Sequence, residues 1–332
     1  MPALPRSVRG QILLVWAVVF FVHIILSFFG GSLGEIGPDN DDVVRLVQIR
    51  DLYNGQSWFD LTQYRMGPDG GTLMHWSRLV DLPIVSLIWI FDLVLPYEAA
   101  ESLAISIWPP LCSVFVIWGV LVGARHMGGD KTAVFAVLLL LFMLLPHHRF
   151  KPGAIDHHNL QLGILAMAIG YALDPQMRAR SFIIVGAALA ISLAIGIEVV
   201  IFIAIICAFI AINWWMIGSA AKRGSIGFGV GFAGSLLLIF FGTTAPQNYG
   251  VISCDAFSLI MVSAGVAGGA GLAVIAMSGS DRSWMWRSLA LAVLGVVCLV
   301  VLAGQAPQCL ANPLDSLPPE AKTLWLDHIN EA

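Results

Sequence analysis

The chain has 332 residues, of which 58% are hydrophobic and only 11% are charged. Soluble domains typically carry about 25% charged residues, so this composition indicates a protein that lies in a lipid bilayer. The formal net charge is -4 and no run of basic residues occurs, which excludes nucleic acid as a partner.

Apolar runs long enough to cross a bilayer recur along the chain. About 20 apolar residues span the hydrocarbon layer, and about 17 suffice. The first run follows Arg6 and Arg9 and has the length of a full span, so we interpret it as an uncleaved first span and not as a signal peptide. The sequence predicts an all-α, polytopic transmembrane bundle of about nine spans, near residues 11–29, 102–123, 132–146, 159–173, 181–197, 198–217, 226–243, 257–277 and 288–304.

The positions of lysine and arginine orient this bundle, because cytoplasmic loops of membrane proteins carry the excess of these residues. With a cytoplasmic N-terminus, the outer segments 244–256 and 305–332 together hold only Lys322. We therefore expect a multi-pass inner-membrane protein in which the first loop (residues 30–83) and the second loop (residues 147–158) are extracytoplasmic. The predicted inner loops hold Arg125, Lys131, Arg178, Arg180, Lys222, Arg223, Arg282 and Arg287.

Two further segments and a pair of cysteines complete the predicted topology. The apolar run at 84–95 lies between two prolines and is too short to cross, so it predicts an interfacial or re-entrant helix. Residues 305–332 are predicted to form an extracytoplasmic tail, as the start of a C-terminal part that is missing or that a partner subunit supplies. Cys254 and Cys309 both fall in predicted outer segments, where an oxidising compartment permits either a disulfide or two free thiols.

Acidic residues cluster at the start of the first loop. Asp39, Asp41 and Asp42 precede a short amphipathic helix that carries Arg45 and Gln48 on its polar side. One interpretation is structural: Asp39 or Asn40 caps the helix, the other acids complement its dipole, and Asp41 pairs with Arg45 four residues later. The other is functional, because three aspartates within four residues also supply oxygen ligands for a hard divalent cation. The sequence leaves both interpretations open.

The second loop combines histidines with charged residues, as HHRFK at 147–151 and DHH at 156–158. The triplet Asp156, His157 and His158 offers one carboxylate and two imidazoles where the loop enters a helix. Such a set binds Mg²⁺, Mn²⁺ or Zn²⁺. A water-exposed polar patch is the alternative interpretation.

Two further places carry polar residues next to apolar segments. Glu198 is an isolated carboxylate in an apolar stretch, where a charge indicates function, although it also suits the polar marker of a tight turn at Gly196. In the first loop, His75 and Arg78 follow a glycine turn, and an arginine at head-group level suits a lipid phosphate. Snorkelling of Arg78, or an ion pair with Asp81, explains that arginine equally well.

These two loops together resemble the catalytic subunit of oligosaccharyltransferase and, more broadly, the GT-C class of membrane glycosyltransferases. In that family a first outer loop carries an aspartate, an arginine six residues later, a leucine and a glycine, and then Trp-Phe-Asp. The matching residues here are Asp39, Arg45, Leu52, Gly55, Trp58, Phe59 and Asp60. The family's second outer loop follows a proline-ended span and carries, in some members, Asp-His-His, which Pro146 and residues 156–158 match. The resemblance covers roughly residues 10–200.

The resemblance implies a GT-C-like transmembrane domain at residues 1–304. It implies a glycosyltransferase that moves a sugar or oligosaccharide from a polyprenyl-phosphate or polyprenyl-diphosphate donor to an extracytoplasmic acceptor, with inversion. It also implies a divalent cation, Mg²⁺ or Mn²⁺, with Asp39, Asp156 and His158 as ligands. The implied catalytic residues are Asp39, Asp41 and Glu198, and the implied donor-binding residues are Arg45, His75, Arg78, Arg149 and Lys151.

One departure from the family bears on the acceptor. The family's soluble C-terminal domain carries a Trp-Trp-Asp motif, whereas Trp214 and Trp215 are followed here by Met216 on the predicted cytoplasmic side. Transfer to protein asparagine is therefore not implied. A transporter or flippase for lipid-linked glycans and a non-catalytic assembly subunit with this fold are the alternatives. Spans almost free of charge favour an enzyme, because transporters place polar groups along their spans.

Overall fold

The computed structural model describes residues 7–67, 69–310 and 323, and its regular structure is almost entirely helical. The helices are α1 (Val8–Phe29), α2 (Asn40–Tyr53), α3 (Arg78–Asp92), α4 (Tyr97–Leu144), α5 (His158–Ala172), α6 (Ala179–Ile195), α7 (Val200–Ile217), α8 (Lys222–Thr243), α9 (Leu259–Gly279) and α10 (Trp284–Gln305). Two short antiparallel strands, β1 (Thr62–Gln63) and β2 (Thr72–Leu73), form a hairpin in the first loop, with Thr62 opposite Leu73. The all-α prediction is confirmed.

The predicted spans fall on α1 and on α4 to α10. α4 accounts for two of them because Gly129, at φ 69° and ψ -153°, interrupts its 48 residues. Within the described residues, six helical segments are long and apolar enough to cross a membrane, namely α1, α4, residues 197–220, α8, α9 and α10. α6 is apolar but shorter. The turn near Gly196 is confirmed, since α6 ends one residue before it.

α3 is the short helix that the sequence placed between two prolines, and it begins earlier than predicted. Ser77 caps its start by accepting a hydrogen bond from the backbone of Leu79 at 3.2 Å. Pro83 lies inside the helix, where its missing N–H removes one backbone hydrogen bond without ending the helix. The cap therefore sets the boundary. The fully buried side chains of α3 include Val80, Ile84, Val85 and Ile88.

α2 confirms the helix predicted in the first loop and corrects its polarity. Asp39 is the N-cap, with Oδ1 accepting from the backbone N of Asp41 at 3.2 Å. Arg45 and Gln48 are fully buried, although the sequence placed them on the polar side. The reason is tertiary for Arg45, whose guanidinium meets Asp81 of α3 and Asp156 of the second loop. The opposite side of α2 stays open at Val43, which is 46% exposed.

Close helix contacts hold the bundle together, and glycines permit them. On α8, a side chain at Gly227 or Gly231 would collide with the backbone of α6 at Ala179 or Ile183. Glycine therefore sets the distance between α6 and α8, as small residues do where membrane helices approach closely. Beyond the helices, a disulfide joins Cys254 to Cys309. The disulfide permitted by the sequence is present, and it ties the segment after α8 to the segment after α10.

Candidate functional site

The two loops lie side by side and are joined through their backbones. Gly37 N donates to Gly153 O at 2.9 Å between the loops, and Gly153 N donates to Ile105 O of α4 at 3.1 Å. Gly153 has φ 89°, and a side chain there would collide with the first loop, so only glycine suits the position. Next to this contact, Asp42 Oδ1 accepts from the backbone N of Asp156 at 2.8 Å. The start of α2 and the start of α5 are therefore held together.

The Asp-His-His triplet forms a compact cluster at the start of α5. Asp156 Oδ1 lies 2.7 Å from His157 Nδ1, and Asp156 Oδ2 lies 3.3 Å from His158 Nε2. His157 Nε2 lies 3.5 Å from Glu198 Oε1, which brings the turn after α6 into the same cluster. One ligand atom from each member of the triplet lies within 4.8 Å of the others. The structure therefore brings Asp156, His158 and Glu198 together in one cluster.

This cluster fits a divalent cation. Asp156 Oδ2 and His157 Nε2 are buried and have no hydrogen-bond partner among the described residues. Unsatisfied buried polar atoms are costly, and a bound metal ion would satisfy both. One carboxylate with two imidazoles is a donor set that suits Mn²⁺ or Zn²⁺. His157 belongs to the triplet that the sequence offered as a metal-binding set, although the ligand set implied by the resemblance names only Asp39, Asp156 and His158.

Arg149 links the two acidic groups from the two loops. Its Nη1 lies 3.0 Å from Asp39 Oδ2 and 3.9 Å from Asp156 Oδ2. Asp39 and Asp156 thus flank one guanidinium nitrogen, although more than 100 residues separate them in the chain. Asp39 faces Arg149 and not the triplet directly. The guanidinium of Arg149 therefore separates Asp39 from Asp156 and His158, the other two members of the predicted ligand set.

Arg45 holds the other side of Asp156 from within the protein. Its guanidinium lies 3.0 Å from Asp81 Oδ1 and 3.6 Å from Asp156 Oδ1, and it stacks 4.5 Å from the centre of the Trp76 ring. Arg45 is fully buried. One interpretation of the sequence paired Arg45 with Asp41, four residues earlier. In the structure, Arg45 forms ion pairs with Asp81 and Asp156. Arg45 therefore positions the carboxylate that the triplet uses.

Arg78 is also buried, and it is bound to the same acid. Its Nη1 donates to Asp81 Oδ2 at 3.2 Å and to the backbone O of Gln48 at 3.1 Å. Its Nη2 donates to Gln56 Oε1 at 2.8 Å and to the backbone O of Asp60 at 2.6 Å. Of the sequence's alternatives for Arg78, the structure shows the ion pair with Asp81. Only 1% of the Arg78 side chain is exposed, so its contacts organise the first loop from inside.

Burial and charge divide the acids of the site into two kinds. Burial, together with the nearby charges of Asp156 and Asp39, raises the pKa of Asp42 to about 6, although the hydrogen bond from the backbone of Asp156 lowers it. Burial alone would raise the pKa of Asp156 as well, but the hydrogen bond from His157 and the charges of His157 and Arg45 hold it well below its usual range. Asp156 is therefore ionised at neutral pH, and the cluster keeps a negative charge available to a cation.

A cleft of about 440 Å³ lies beside Arg149, between the end of α1 and both loops. It is lined by Ser27, Ser32, Glu35, Ile36, Gly37, Pro38, Asp39, Asp42, His148, Arg149, Lys151, Pro152 and Ala154. We call it the basic cleft after Arg149, Lys151 and His148, which come from one short segment of the second loop, although three acids, Glu35, Asp39 and Asp42, line it as well. The predicted donor-binding residues Arg149 and Lys151 thus share one cleft with Asp39.

Two predicted site residues lie elsewhere. Asp41 is on the first turn of α2, but it is Asp42 that faces the second loop. Helical spacing could have identified Asp42, since it shares the buried side of α2 with Leu46 and Ile49. His75 is exposed and lines a different cavity, next to Trp76.

Solved structures of similar shape agree with this architecture. The archaeal oligosaccharyltransferase AglB from Archaeoglobus fulgidus, in complex with an inhibitory peptide and a dolichol-phosphate, matches with a TM-score of 0.63 and 18% identity over 95% of this chain and 40% of that chain. The chain has the fold of the N-terminal membrane part of an oligosaccharyltransferase. This finding confirms the GT-C-like fold predicted from the two loops.

The oligosaccharyltransferase fold recurs in two further structures of the A. fulgidus enzyme. The complex with Zn and sulfate matches with a TM-score of 0.64 and 16% identity, over 87% of this chain and 40% of that chain. The apo form matches with a TM-score of 0.61 and 16% identity, over 97% and 39%. The chain therefore spans about 40% of the length of these oligosaccharyltransferases. No protein-family model and no curated protein sequence matches it.

Proposed function

We propose that the chain is a glycosyltransferase that takes a sugar or oligosaccharide from a polyprenyl-phosphate or polyprenyl-diphosphate donor at an extracytoplasmic site. The observation that carries this proposal is the meeting of the two loops, in which Asp39 and Asp156 flank Arg149 beside the basic cleft. The fold supports it, because a similarly shaped oligosaccharyltransferase is known in complex with a dolichol-phosphate. The donor's polyprenyl tail would lie in membrane lipid, next to apolar helices such as α1.

The basic cleft would bind the donor's phosphate. Arg149 presents a planar fork that matches two phosphate oxygens, and Lys151 adds a second positive charge in the same cleft. Asp39 would keep Arg149 oriented through their 3.0 Å ion pair. Since the cleft extends to Ser27 at the end of α1, a phosphate bound there lies where a membrane helix meets the loops. A lipid-linked donor needs this placement.

Asp156, His157 and His158 would hold a divalent cation, with Glu198 beside them. Bound there, such an ion supplies positive charge that stabilises a leaving phosphate. Two imidazoles among the ligands favour Mn²⁺ or Zn²⁺ over the Mg²⁺ that the resemblance also allowed. Arg45 and Arg78, both bound to Asp81, would act as positioning residues that set the orientation of Asp156.

The transfer itself would be a single displacement. The oxygen of an acceptor hydroxyl attacks the anomeric carbon, the bond from that carbon to the phosphate oxygen breaks, and its electron pair leaves with the phosphate. The hydroxyl proton passes to a carboxylate, for which we assign Glu198, because 44% of its side chain is exposed. Gln161 Nε2 lies 3.3 Å from Glu198 Oε2 and would orient it. A single displacement without a glycosyl-enzyme inverts the anomeric centre.

The test is transfer from a defined donor. Purified protein in lipid nanodiscs is incubated with radiolabelled polyprenyl-phosphate and polyprenyl-diphosphate sugars, and release or transfer of the sugar is measured. Asp156→Asn should lower the rate at least about 100-fold, as loss of a major electrostatic group does. Asp130→Asn is the matched control, since 81% of the Asp130 side chain is exposed in α4. A wild type that leaves every donor intact, or an Asp156→Asn variant as active as the control, would refute the proposal.

A further inference from the structure

A second cavity opens on the other side of the site, between the first loop and the segment after α8. Its lining includes Phe59, His75 and Trp76 from the first loop, and Thr244, Asn248 and Ser253 from the segment that follows α8. None of these residues belongs to the basic cleft. We call this space the neutral cavity, because none of its described lining residues is an Asp, Glu, Lys or Arg.

The neutral cavity shares a wall with the site. The Trp76 ring lies 4.5 Å from the guanidinium carbon of Arg45, and its centre is 6.0 Å from that of the His157 ring. Trp76 therefore contacts both Arg45 and His157 while it lines the neutral cavity. His157 Nε2 in turn lies 3.5 Å from Glu198 Oε1. The cavity is therefore linked to the assigned proton acceptor through Trp76 and His157.

The chemistry of the lining differs sharply from that of the basic cleft. The residues around the cavity are aromatic, small and apolar, or carry hydroxyl or amide groups, and none of the described lining residues is an Asp, Glu, Lys or Arg. Thr244 and Asn248 have side chains without a hydrogen-bond partner in the described part of the chain, so they can bind a ligand. Aromatic faces with a few neutral polar groups suit an uncharged ligand that carries hydroxyls.

The size of the cavity suits one ring. Its volume is about 100 Å³, and one water molecule needs roughly 10–15 Å³ of such space. The cavity thus accommodates about seven to ten atoms of water size, which is most of the roughly 12 non-hydrogen atoms of a hexose. A stretch of peptide would need a longer groove, so a carbohydrate is the better fit.

The cavity is also built to keep its shape. Trp58 Nε1 donates to the backbone O of Gly242 at 2.7 Å and so joins the first loop to the end of α8. Ser258 Oγ donates to the backbone O of Ser253 at 2.7 Å within the segment that closes the cavity. The Cys254 to Cys309 disulfide ties this segment to the chain beyond α10. Binding in a prearranged cavity loses less free energy to ordering.

We propose that the neutral cavity binds the acceptor and that the acceptor is a neutral carbohydrate, which presents a hydroxyl toward Glu198. This inference rests on the proposed function, because it assigns the second substrate of the same reaction. The donor's charged phosphate and the acceptor's neutral ring would then enter from opposite sides of the Arg45 and Trp76 pair. The charged residues of the basic cleft would favour the donor's phosphate, and the uncharged lining of the neutral cavity would favour the acceptor.

Binding can be tested without a donor, which separates this inference from the proposed function. Saturation-transfer NMR on protein in nanodiscs would use methyl glycosides of glucose, galactose, mannose and N-acetylglucosamine as probes. A blocked asparagine tripeptide is the competing probe. Ala256→Phe fills the cavity, and Ala99→Phe introduces the same side chain at an exposed position of α4. Asn248→Ala removes one free amide from the lining with little steric effect.

The expected result is binding of at least one glycoside to the wild type and to Ala99→Phe, and affinity at least about tenfold weaker in Ala256→Phe and in Asn248→Ala. Equal binding by all four proteins would overturn the inference, as would binding of the tripeptide alone or of no probe. If Ala256→Phe fails to fold, Asn248→Ala decides. Donor cleavage that depends on Asp156 would leave the proposed function intact whatever the glycosides do.

Discussion

Asp81 is the single acid between two buried arginines, and its removal should be costly. Its Oδ1 lies 3.0 Å from Arg45 Nη1 and its Oδ2 lies 3.2 Å from Arg78 Nη1. Asp81 and Arg45 are 0% exposed, and Arg78 is 1% exposed. In Asp81→Asn the side chain keeps its shape, but two guanidiniums lose their shared negative charge. One of them would also face the new amide NH₂ group, which cannot accept a hydrogen bond.

The magnitude follows from burial. Breaking a buried ion pair by removing one partner costs about 3–5 kcal/mol, because the remaining charge stays in a medium that solvates it poorly. Asp92→Asn is the matched control in the same helix: Tyr53 Oη donates to Asp92 Oδ2 at 2.6 Å, but that pair is exposed. An exposed hydrogen bond of this kind contributes about 1 kcal/mol or less. The two variants should therefore differ by at least about 2 kcal/mol.

The assay is reversible unfolding of the purified protein in mixed detergent micelles, followed by circular dichroism. Both variants and the wild type are titrated with denaturing detergent under the same conditions, and the free energies of unfolding are compared. Our reasoning is refuted if Asp81→Asn is no less stable than Asp92→Asn. Such a result would mean that water reaches Arg45 and Arg78 readily, and that these residues do not hold Asp156 as a rigid unit.

Three further predictions concern other parts of the chain. Arg149→Gln should weaken donor binding about 10- to 100-fold in a radioligand assay. Arg180→Gln, at the opposite end of the bundle, should leave donor binding unchanged. Equal affinities of the two variants would show that Arg149 does not bind the donor. Cys254→Ser removes the disulfide that closes a loop of 55 residues, and it should lower the free energy of unfolding by at most about 4 kcal/mol. Reductant should destabilise the wild type and leave the variant unchanged. A wild type whose stability does not respond to reductant would contradict this prediction. Burial tends to raise the pKa of Asp174, but its hydrogen bonds to Arg178 and Ser181 lower it to about 2. The ionised carboxylate of Asp174 therefore stabilises the folded protein above pH 3.8, and this stabilisation is lost as the pH falls through about 2. The free energy of unfolding of Asp174→Asn should be lower than that of the wild type by about 2 kcal/mol at pH 7 and almost equal to it near pH 1. A difference that does not change with pH would refute the role of Asp174.

Local signals in the sequence predicted the local parts of the site. Asp39 begins α2 because an aspartate before an apolar helical pattern caps it, and this needs no tertiary information. The turn at Gly196 and the grouping of Asp156 with His158 are equally local. The disulfide partners Cys254 and Cys309 could be paired because both segments were predicted on the same side.

Tertiary contacts decided what the sequence missed. One interpretation of the sequence paired Arg45 with a neighbour four residues away, yet its partner Asp81 is 36 residues away in the chain and belongs to another helix. The choice between Asp41 and Asp42 depended on which side of α2 meets the second loop, and that loop is more than 100 residues distant. Trp76 had no predicted role, because its position between Arg45 and the neutral cavity exists only in the folded chain.

The account depends most on the claim that the two loops form one site. A double-mutant cycle on Asp39→Asn and Asp156→Asn tests this claim, with the rate of sugar release from a polyprenyl-linked donor as the measurement. Because both carboxylates act on Arg149, we expect the double variant to be about as slow as the slower single variant. Losses that multiply in the double variant would show that the two acids act independently, and would contradict the account.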